Sequence, residues 1–293
     1  MSRGKMLRRL AAETLGEELA SRIWGRIEFV GDLALIRIPP GLDPELLKPL
    51  AERILKEFKY VKSVWGGFPG VEGEYRLRRY IHLAGEERSE TLYREHGCVF
   101  KVDITKVYVS PVLGFEHRRV ASLVQPGETV LNMYAGAGFF SIIIAKYSKP
   151  RRVYSIDLNP DAYKYMVENI RLNKVEGIVE PILGDAVKVI EERLVGSSDR
   201  VLMPLPDLAL QHLPYAIKAL RGGRGFIHVY LHVKAGRGED YLGKAVDMLA
   251  SRLSEIGVRG FTIIGKRLVR TIAPRVYQVV LDTWIEGVSV ELA

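Results

Sequence analysis

The sequence predicts an α/β chain: an open, mainly parallel sheet covered by helices on both faces, preceded by a smaller α+β module. Two observations predict it. From about Arg118 onward, short apolar runs (TVLNMYA, RVYSIDLN, IVEPILGDA, RVLMPLP) alternate with helical stretches such as YKYMVENIRL, VKVIEERL and ALQHLPYAIKAL. Strands alternating strictly with helices are what successive βαβ units look like in sequence. Before that point the pattern is mixed, with helical and hairpin-like segments interleaved. The expected division is a module over residues 1–97 and a larger domain over 98–293.

The elements follow in order. Residues 5–24 have the spacing of an amphipathic helix, and RIEFVGDLALIRI that of a hairpin turning at Gly31 and Asp32. Pro39, Pro40 and Gly41 interrupt it. Asp43 and Pro44 then offer an N-cap and a first helical residue to PELLKPLAERILKEF. A strand-like VKSVWGG, a glycine-rich loop over 66–73, YIHLAG, a turn and CVFKVDITKVYVS complete the module. In the larger domain FFSIIIAKY reads as a helix after the first strand, and RGFIHVYLHV and VYQVVLDTWI as late strands.

Composition narrows the function classes. Hydrophobic residues make up 47% of 293, enough for an ordinary core, and no apolar run is long enough to span a bilayer. The basic first residues lack the apolar centre of a secretory signal, and a lone Cys98 excludes an internal disulfide. A soluble protein of the reducing cytoplasm is therefore expected. The six histidines have no metal-ligand spacing, so no metal is expected. A formal net charge of +8 suits a polyanionic partner. RLRRY, EHRRV, KPRRV and KRLVR interleave arginine with apolar or aromatic residues and are candidates for a nucleic-acid face; a solvated surface is the alternative.

The chemistry centres on Asn132–Gly138, NMYAGAG, between the first strand and its helix. Gly136 and Gly138 permit positive φ and close approach of a ligand to the backbone, and the following helix aims unpaired N–H groups at the turn. Ligands of open α/β sheets bind at the carboxyl ends of the strands. There the second strand ends in Asp157, about 20 residues past the glycines, where a carboxylate accepts from a ribose diol. The third ends in Asp185, placed to bond an adenine amine. A plain role as helix caps is the alternative for both. A dinucleotide fingerprint would carry a third glycine, but the stretch runs G-A-G-F-F-S with Phe139 at the helix start. A nucleoside without pyrophosphate fits better, and S-adenosylmethionine is the common one.

AGAGFFSI, IDLNPDAYKYMVENIRLNKV and DRVLMPLPDLALQHLPYAI resemble the class I S-adenosylmethionine transferases that modify guanosine 37 of tRNA. That family comprises the archaeal and eukaryotic guanine-37 N1-methyltransferases and the wybutosine-pathway aminocarboxypropyltransferases. The resemblance runs from about residue 70 to 283 and implies a Rossmann-like methyltransferase domain behind an RNA-engaging module. It implies that Tyr134, Ala135, Gly136 and Gly138, with Ser110, hold the methionine end of the cofactor, Pro204 lying at the fourth strand end. Asp157 would take the ribose and Asp185 the adenine. Glu116 stands where the family motif S-P-R-x-x-x-E-R has its general base. Arg76 matches an arginine that assists at the base's O6, and His117, Arg118 and Arg119 fall in the substrate-facing stretch.

The chemistry is coherent, because N1–H of guanine is a poor nucleophile until a carboxylate takes its proton and a cation stabilises O6. The departures bear on the branch. Pro204 replaces the methyltransferases' asparagine, Val112 the arginine of S-P-R, His117 the arginine after the glutamate, and Asn132 the usual aspartate. Methyl transfer to N1 of guanosine 37 is the leading expectation, by a monomer acting on tRNA. Aminocarboxypropyl transfer to a wyosine precursor is the first alternative, and a catalytically degenerate tRNA-binding relative the second. A small-molecule methyltransferase is a third.

Overall fold

The computed structural model describes residues 3–287, which divide into two compact units, one ending at Pro111 and one beginning at Val112. In the first unit the expected single helix over 5–24 is two: α1 (Arg3–Leu15) and α2 (Glu17–Arg22), broken at Gly16, whose φ of 78° leaves the helical region. The hairpin β1 (Ile27–Val30) and β2 (Leu33–Arg37) turns at Gly31 and Asp32, with Val30 opposite Leu33. Asp43 accepts from the Glu45 N–H and caps a 3-10 turn, Pro44–Leu47, that leads into α3 (Lys48–Glu57). β3 (Ser63–Gly67) runs parallel to β2, and β4 (Tyr80–Gly85) antiparallel to β3. Leu7, Leu10, Ile36, Leu50, Ile54 and Val64 meet in the unit's core.

A further hairpin, β5 (Glu90–Glu95) and β6 (Cys98–Asp103), closes the first unit. The sequence pattern showed β6 but gave β5 only a turn, because ETLYRE has no clean alternation. The contact division at Pro111 keeps the paired strands β5 and β6 in one unit.

The second unit starts with α4 (Gly114–Leu123) and continues β7 (Thr129–Asn132), α5 (Phe139–Tyr147), β8 (Arg152–Asp157), α6 (Pro160–Leu172) and β9 (Val179–Leu183). The predicted helix VKVIEERL is α7 (Ala186–Val189) followed by a π turn, Ile190–Leu194. Next come β10 (Arg200–Met203), α8 (Pro206–Ala219), β11 (Arg224–Lys234), α9 (Tyr241–Glu255), β12 (Phe261–Ala273) and β13 (Val276–Glu286). The sheet order is β12-β13-β11-β10-β7-β8-β9. β7 to β11 are parallel, as the alternating pattern required, and β13 is wedged antiparallel between β11 and β12. Leu131, Val201, Ile227, Leu213 and Leu249 lie in one buried cluster that joins the sheet centre to α8 and α9. The order reverses at β7, so the crevice beside its carboxyl end is where such a sheet binds ligands.

Candidate active site

The turn after β7 is held open by the strand beside it. The Gly136 N–H donates to Asp157 Oδ2 at 2.6 Å, and the Ala135 N–H donates to the Ile156 carbonyl at 2.8 Å. The two glycines serve different ends. Gly136 has φ 56°, and a Cβ there would meet nothing within 4 Å, so the space above it is open. Gly138, at φ 93°, forms the N-terminal boundary of α5, and a Cβ would come within 3.1 Å of Ile142 Cδ1 and 3.2 Å of Met166 Cγ. Phe139 is buried at the helix start.

Asp157 is not a helix cap. Asn159 caps α6 by accepting from the Asp161 N–H, while Asp157 Oδ1 accepts from the Asn159 N–H at 3.0 Å. Burial raises its pKa, against the lowering effect of these two backbone bonds. Each carboxylate oxygen spends one bond on the backbone and keeps acceptor capacity for a hydroxyl. Asp185 does cap, taking the Lys188 N–H at 3.0 Å. The acidic tips are neighbours, because Asp157 pairs in register with Leu183, and the Gly184 N–H donates to the Asp157 carbonyl.

Three contributors escaped the sequence reading. Leu158 and Leu183, next to the acidic tips, stay 39% and 47% exposed and offer apolar surface to a flat ring. Large aliphatics beside strand-end acids were the available signal. His212 of α8 shares a 2.7 Å hydrogen bond with the Tyr134 hydroxyl. Burial lowers the His212 pKa and raises that of Tyr134, so the pair is neutral at pH 7. Pro204 lies half-buried at the end of β10, ahead of Leu205 and Pro206, which open α8.

Glu116, on α4, is only 2% exposed. It accepts from Arg119 Nε at 2.9 Å, from Arg119 Nη2 at 2.7 Å and from the Tyr230 hydroxyl at 2.7 Å. Arg119 also donates to both oxygens of Asp282, at 2.6 and 3.0 Å. Burial alone would raise the Asp282 pKa, but its bonds from His228 and Arg119 hold it well below the carboxylate range. His228 Nδ1 lies 2.6 Å from Asp282 and Nε2 2.8 Å from Arg200 Nη1. A guanidinium only donates, so Nε2 accepts and Nδ1 carries the proton, in keeping with a pKa lowered by burial. Arg200 forms a fork with Glu128 at 2.7 and 3.0 Å.

The remaining predicted positions divide between the two units. His117 is buried between Phe139, stacked at 5.5 Å, and Phe140, edge-on at 4.4 Å. Neither His117 nor Arg119 presents its side chain as an open substrate contact, because one packs α4 on α5 and the other bridges two buried carboxylates. Arg118 lies 3.7 Å over the Tyr147 ring. Arg76 and Ser110 belong to the first unit. Arg76 occupies a turn after β3 at φ 52°, its N–H donating to the Gly73 carbonyl, and Ser110 is half-buried. His232, on the same strand side as His228, pairs with Asp207 at 3.2 Å. No group of three His, Cys, Asp or Glu among the described residues is arranged to hold a metal ion, and no helix among them is long and apolar enough to cross a membrane.

Residues 91–251 match the family model described as the TRM5/TYW2 methyltransferase domain, and residues 7–88 that of the TYW2 N-terminal domain. The chain is 45% identical to the tRNA 4-demethylwyosine(37)-methyltransferase Taw21 of Saccharolobus solfataricus, over 89% of this chain and 94% of that one. It is 40% identical to the tRNA (guanine(37)-N(1))-methyltransferase Trm5b of Pyrococcus abyssi, over 91% and 76% respectively. Among solved structures, the complex of aTrm5 with tRNALeu superposes with a TM-score of 0.81 at 32% identity, covering 96% of this chain and 78% of that one. TYW2 of Methanocaldococcus jannaschii in complex with AdoMet superposes with a TM-score of 0.65 at 27% identity, covering 90% and 100%.

Proposed function

Because this chain belongs to the TRM5/TYW2 methyltransferase family, we propose that it methylates the purine at position 37 of tRNA, with N1 of guanine as the acceptor its geometry supports best. It is an S-adenosylmethionine-dependent tRNA transferase. The residues present suit that cofactor: an open backbone cradle at Gly136, a carboxylate with free acceptor capacity at Asp157, and apolar surface at Leu158 and Leu183. Asp157 would hold the ribose, Asp185 the adenine amine, and Tyr134 to Gly138 the methionine end. When bound, the cofactor supplies an electrophilic methyl group on a sulfonium. The same reading makes the first unit an RNA-engaging module and the chain a cytoplasmic monomer.

The observation that carries the proposal is the hydrogen bonding of Glu116. Its Oε1 accepts from Arg119 Nη2 and from the Tyr230 hydroxyl, whereas among the described residues its Oε2 accepts from Arg119 Nε alone, with Arg267 Nε 4.0 Å away. Oε2 therefore keeps a lone pair for a further donor. In this reading that donor is N1–H of guanine, whose proton Glu116 takes as the methyl group arrives. Tyr230 and Arg119 fix the orientation of the acid.

A second reading, methylation of 4-demethylwyosine, is favoured by Pro204, which offers neither a side-chain amide nor an N–H at the base, and by the Taw21 similarity. Methyl-labelled and carboxyl-labelled cofactor, each offered with unmodified tRNA and with 4-demethylwyosine tRNA, separate the readings. Methyl label on unmodified tRNA is expected. Methyl label confined to the tricyclic substrate establishes the second reading, carboxyl label overturns both, and cofactor binding with no label marks a degenerate relative. Glu116→Gln is expected to lower turnover at least ~100-fold with cofactor affinity retained. Arg119 keeps Asp282 in that variant, so the fold should survive, and near-normal turnover would remove Glu116 from the mechanism.

A further inference from the structure

The first unit carries arginines that the site above does not use, and its sheet gathers three of them. Ile27 pairs with Ile36 across the hairpin, and Arg26 and Arg37 stand one residue further along each strand. Arg37 lies in register with Gly67 of β3, and Gly67 with Tyr80 of β4. Ile36 and Val64, at the alternate positions of β2 and β3, fill the core beneath α1 and α3, so this row faces the other side of the sheet. Gly67 is there for space: a Cβ would come within 3.0 Å of Tyr80 Cε1 and 3.1 Å of Arg78 Cδ. Arg26, Glu28, Arg37, Arg78 and Tyr80 thus line one cleft over Gly67. Among the described residues lining it, Glu28 is the one carboxylate, and Arg26 holds it at 3.2 Å. Like charges side by side on neighbouring strands repel, so three guanidiniums against one carboxylate call for an anion. Burial pushes the Tyr80 pKa up to about 12, which keeps its hydroxyl a donor at neutral pH. At the rim, the Arg37 guanidinium lies 5.1 Å over the ring of Trp24, which is 45% exposed.

We propose that this cleft holds a backbone phosphate of the tRNA, the guanidiniums of Arg37 and Arg78 and the Tyr80 hydroxyl donating to its oxygens. The inference rests on the tRNA substrate of the function proposed above and deepens it by assigning a contact to the first unit. Phosphate suits the donors present, because planar guanidinium forks match its oxygens and make charge-assisted hydrogen bonds. RNA is the source, because the exposed ring of Trp24 at the rim offers a stacking face to a base next to that phosphate. A free phosphate ion would leave that ring uncovered. The contact fixes how the tRNA lies on the protein and carries no sequence information.

The test measures the affinity of the full chain for unmodified tRNA across a range of salt concentrations. Arg78→Gln is expected to weaken binding about 5–10-fold near roughly 0.1 M salt, and to flatten the slope of log K against log salt by about 0.7–0.9, the share of one phosphate. Glu28→Gln removes the carboxylate beside the phosphate and releases Arg26, so it should tighten binding at least about threefold. Misfolding cannot mimic a gain, so this variant decides should Arg78→Gln prove unstable. Lys56→Gln, exposed on α3 across the sheet, removes an equal charge and should change affinity less than about twofold. Equal losses in Lys56→Gln and Arg78→Gln would mean diffuse surface charge and overturn the cleft. Unchanged or weaker binding by Glu28→Gln would overturn it too. Wild-type protein that binds tRNA but transfers no methyl group would sink the proposed function, and these affinities would still judge the cleft. Wild-type protein that does not bind tRNA would sink both.

Discussion

Asp157 ties the local structure of the turn to the proposed cofactor site. Its oxygens tie down Gly136 and Asn159 at 2.6 and 3.0 Å, so the glycine turn and the strand tip form one rigid edge. Asp157→Ala is expected to raise the Kd for S-adenosylmethionine about 10–100-fold, one charge-assisted contact together with a loosened turn; isothermal titration measures it, and unchanged affinity would remove Asp157 from the site. Position and acidity of this residue were legible in the sequence because a strand, a turn and a strand tip follow one another within a short βαβ segment. The partners of Glu116 were not. Tyr230 and Asp282 lie far along the chain, Tyr230 114 residues from Glu116 and Asp282 163 residues from Arg119. His117 and Arg119, adjacent to the motif and grouped with the substrate contacts by resemblance, turn inward because successive helix positions face different sides.

At the scale of elements, the hydrogen-bonded chain from Glu116 through Arg119, Asp282, the neutral His228 and Arg200 to Glu128 joins α4, β10, β11 and β13. Buried ion pairs add little net stability when intact, yet removing one partner strands the other in low dielectric. Arg200 is fully buried, bonded to Glu128, to His228 and to the Leu123 carbonyl. Arg200→Met is therefore expected to cost about 3–5 kcal/mol in urea unfolding; a loss below about 1 kcal/mol would mean that Glu128 rehydrates and the network is dispensable. The network also accounts for the placement of β13 between β11 and β12. Asp282 faces Gly265 of β12, where a Cβ would come within 2.8 Å of the carboxylate, and His228 of β11 on its other side. No element over residues 241–273 was assigned from the sequence. α9 lies among the described helices there, and β12 alternates half-buried and exposed positions, with bulges that blur a period of two.

For the whole molecule, the net charge of +8 already subtracts every carboxylate, so pairing decides which basic residues are left unpaired and not how large the excess is. Of the four arginine-rich stretches, Arg119 is spent on buried carboxylates, Arg152 pairs with Glu180 at 2.6 Å, and Arg270 bonds Gln278 at 2.7 Å. Affinity for tRNA should nonetheless fall steeply with salt, by at least about tenfold between roughly 50 and 200 mM, if several phosphates are neutralised. A fluorescence titration in rising salt checks this, and a flat response would point to a small-molecule substrate.

The sequence by itself determined the order of elements, the glycine turn with its acidic neighbours, and the family motifs, because each is written in contiguous residues and depends on local spacing. Only the tertiary structure decided which charges are buried against one another, and it left the Arg267 N–H beside Glu116 without an acceptor among the described residues. The reason is physical: electrostatic pairing acts through space at a few ångströms, and the sheet order that brings β12, β13 and α4 together cannot be read from any local pattern.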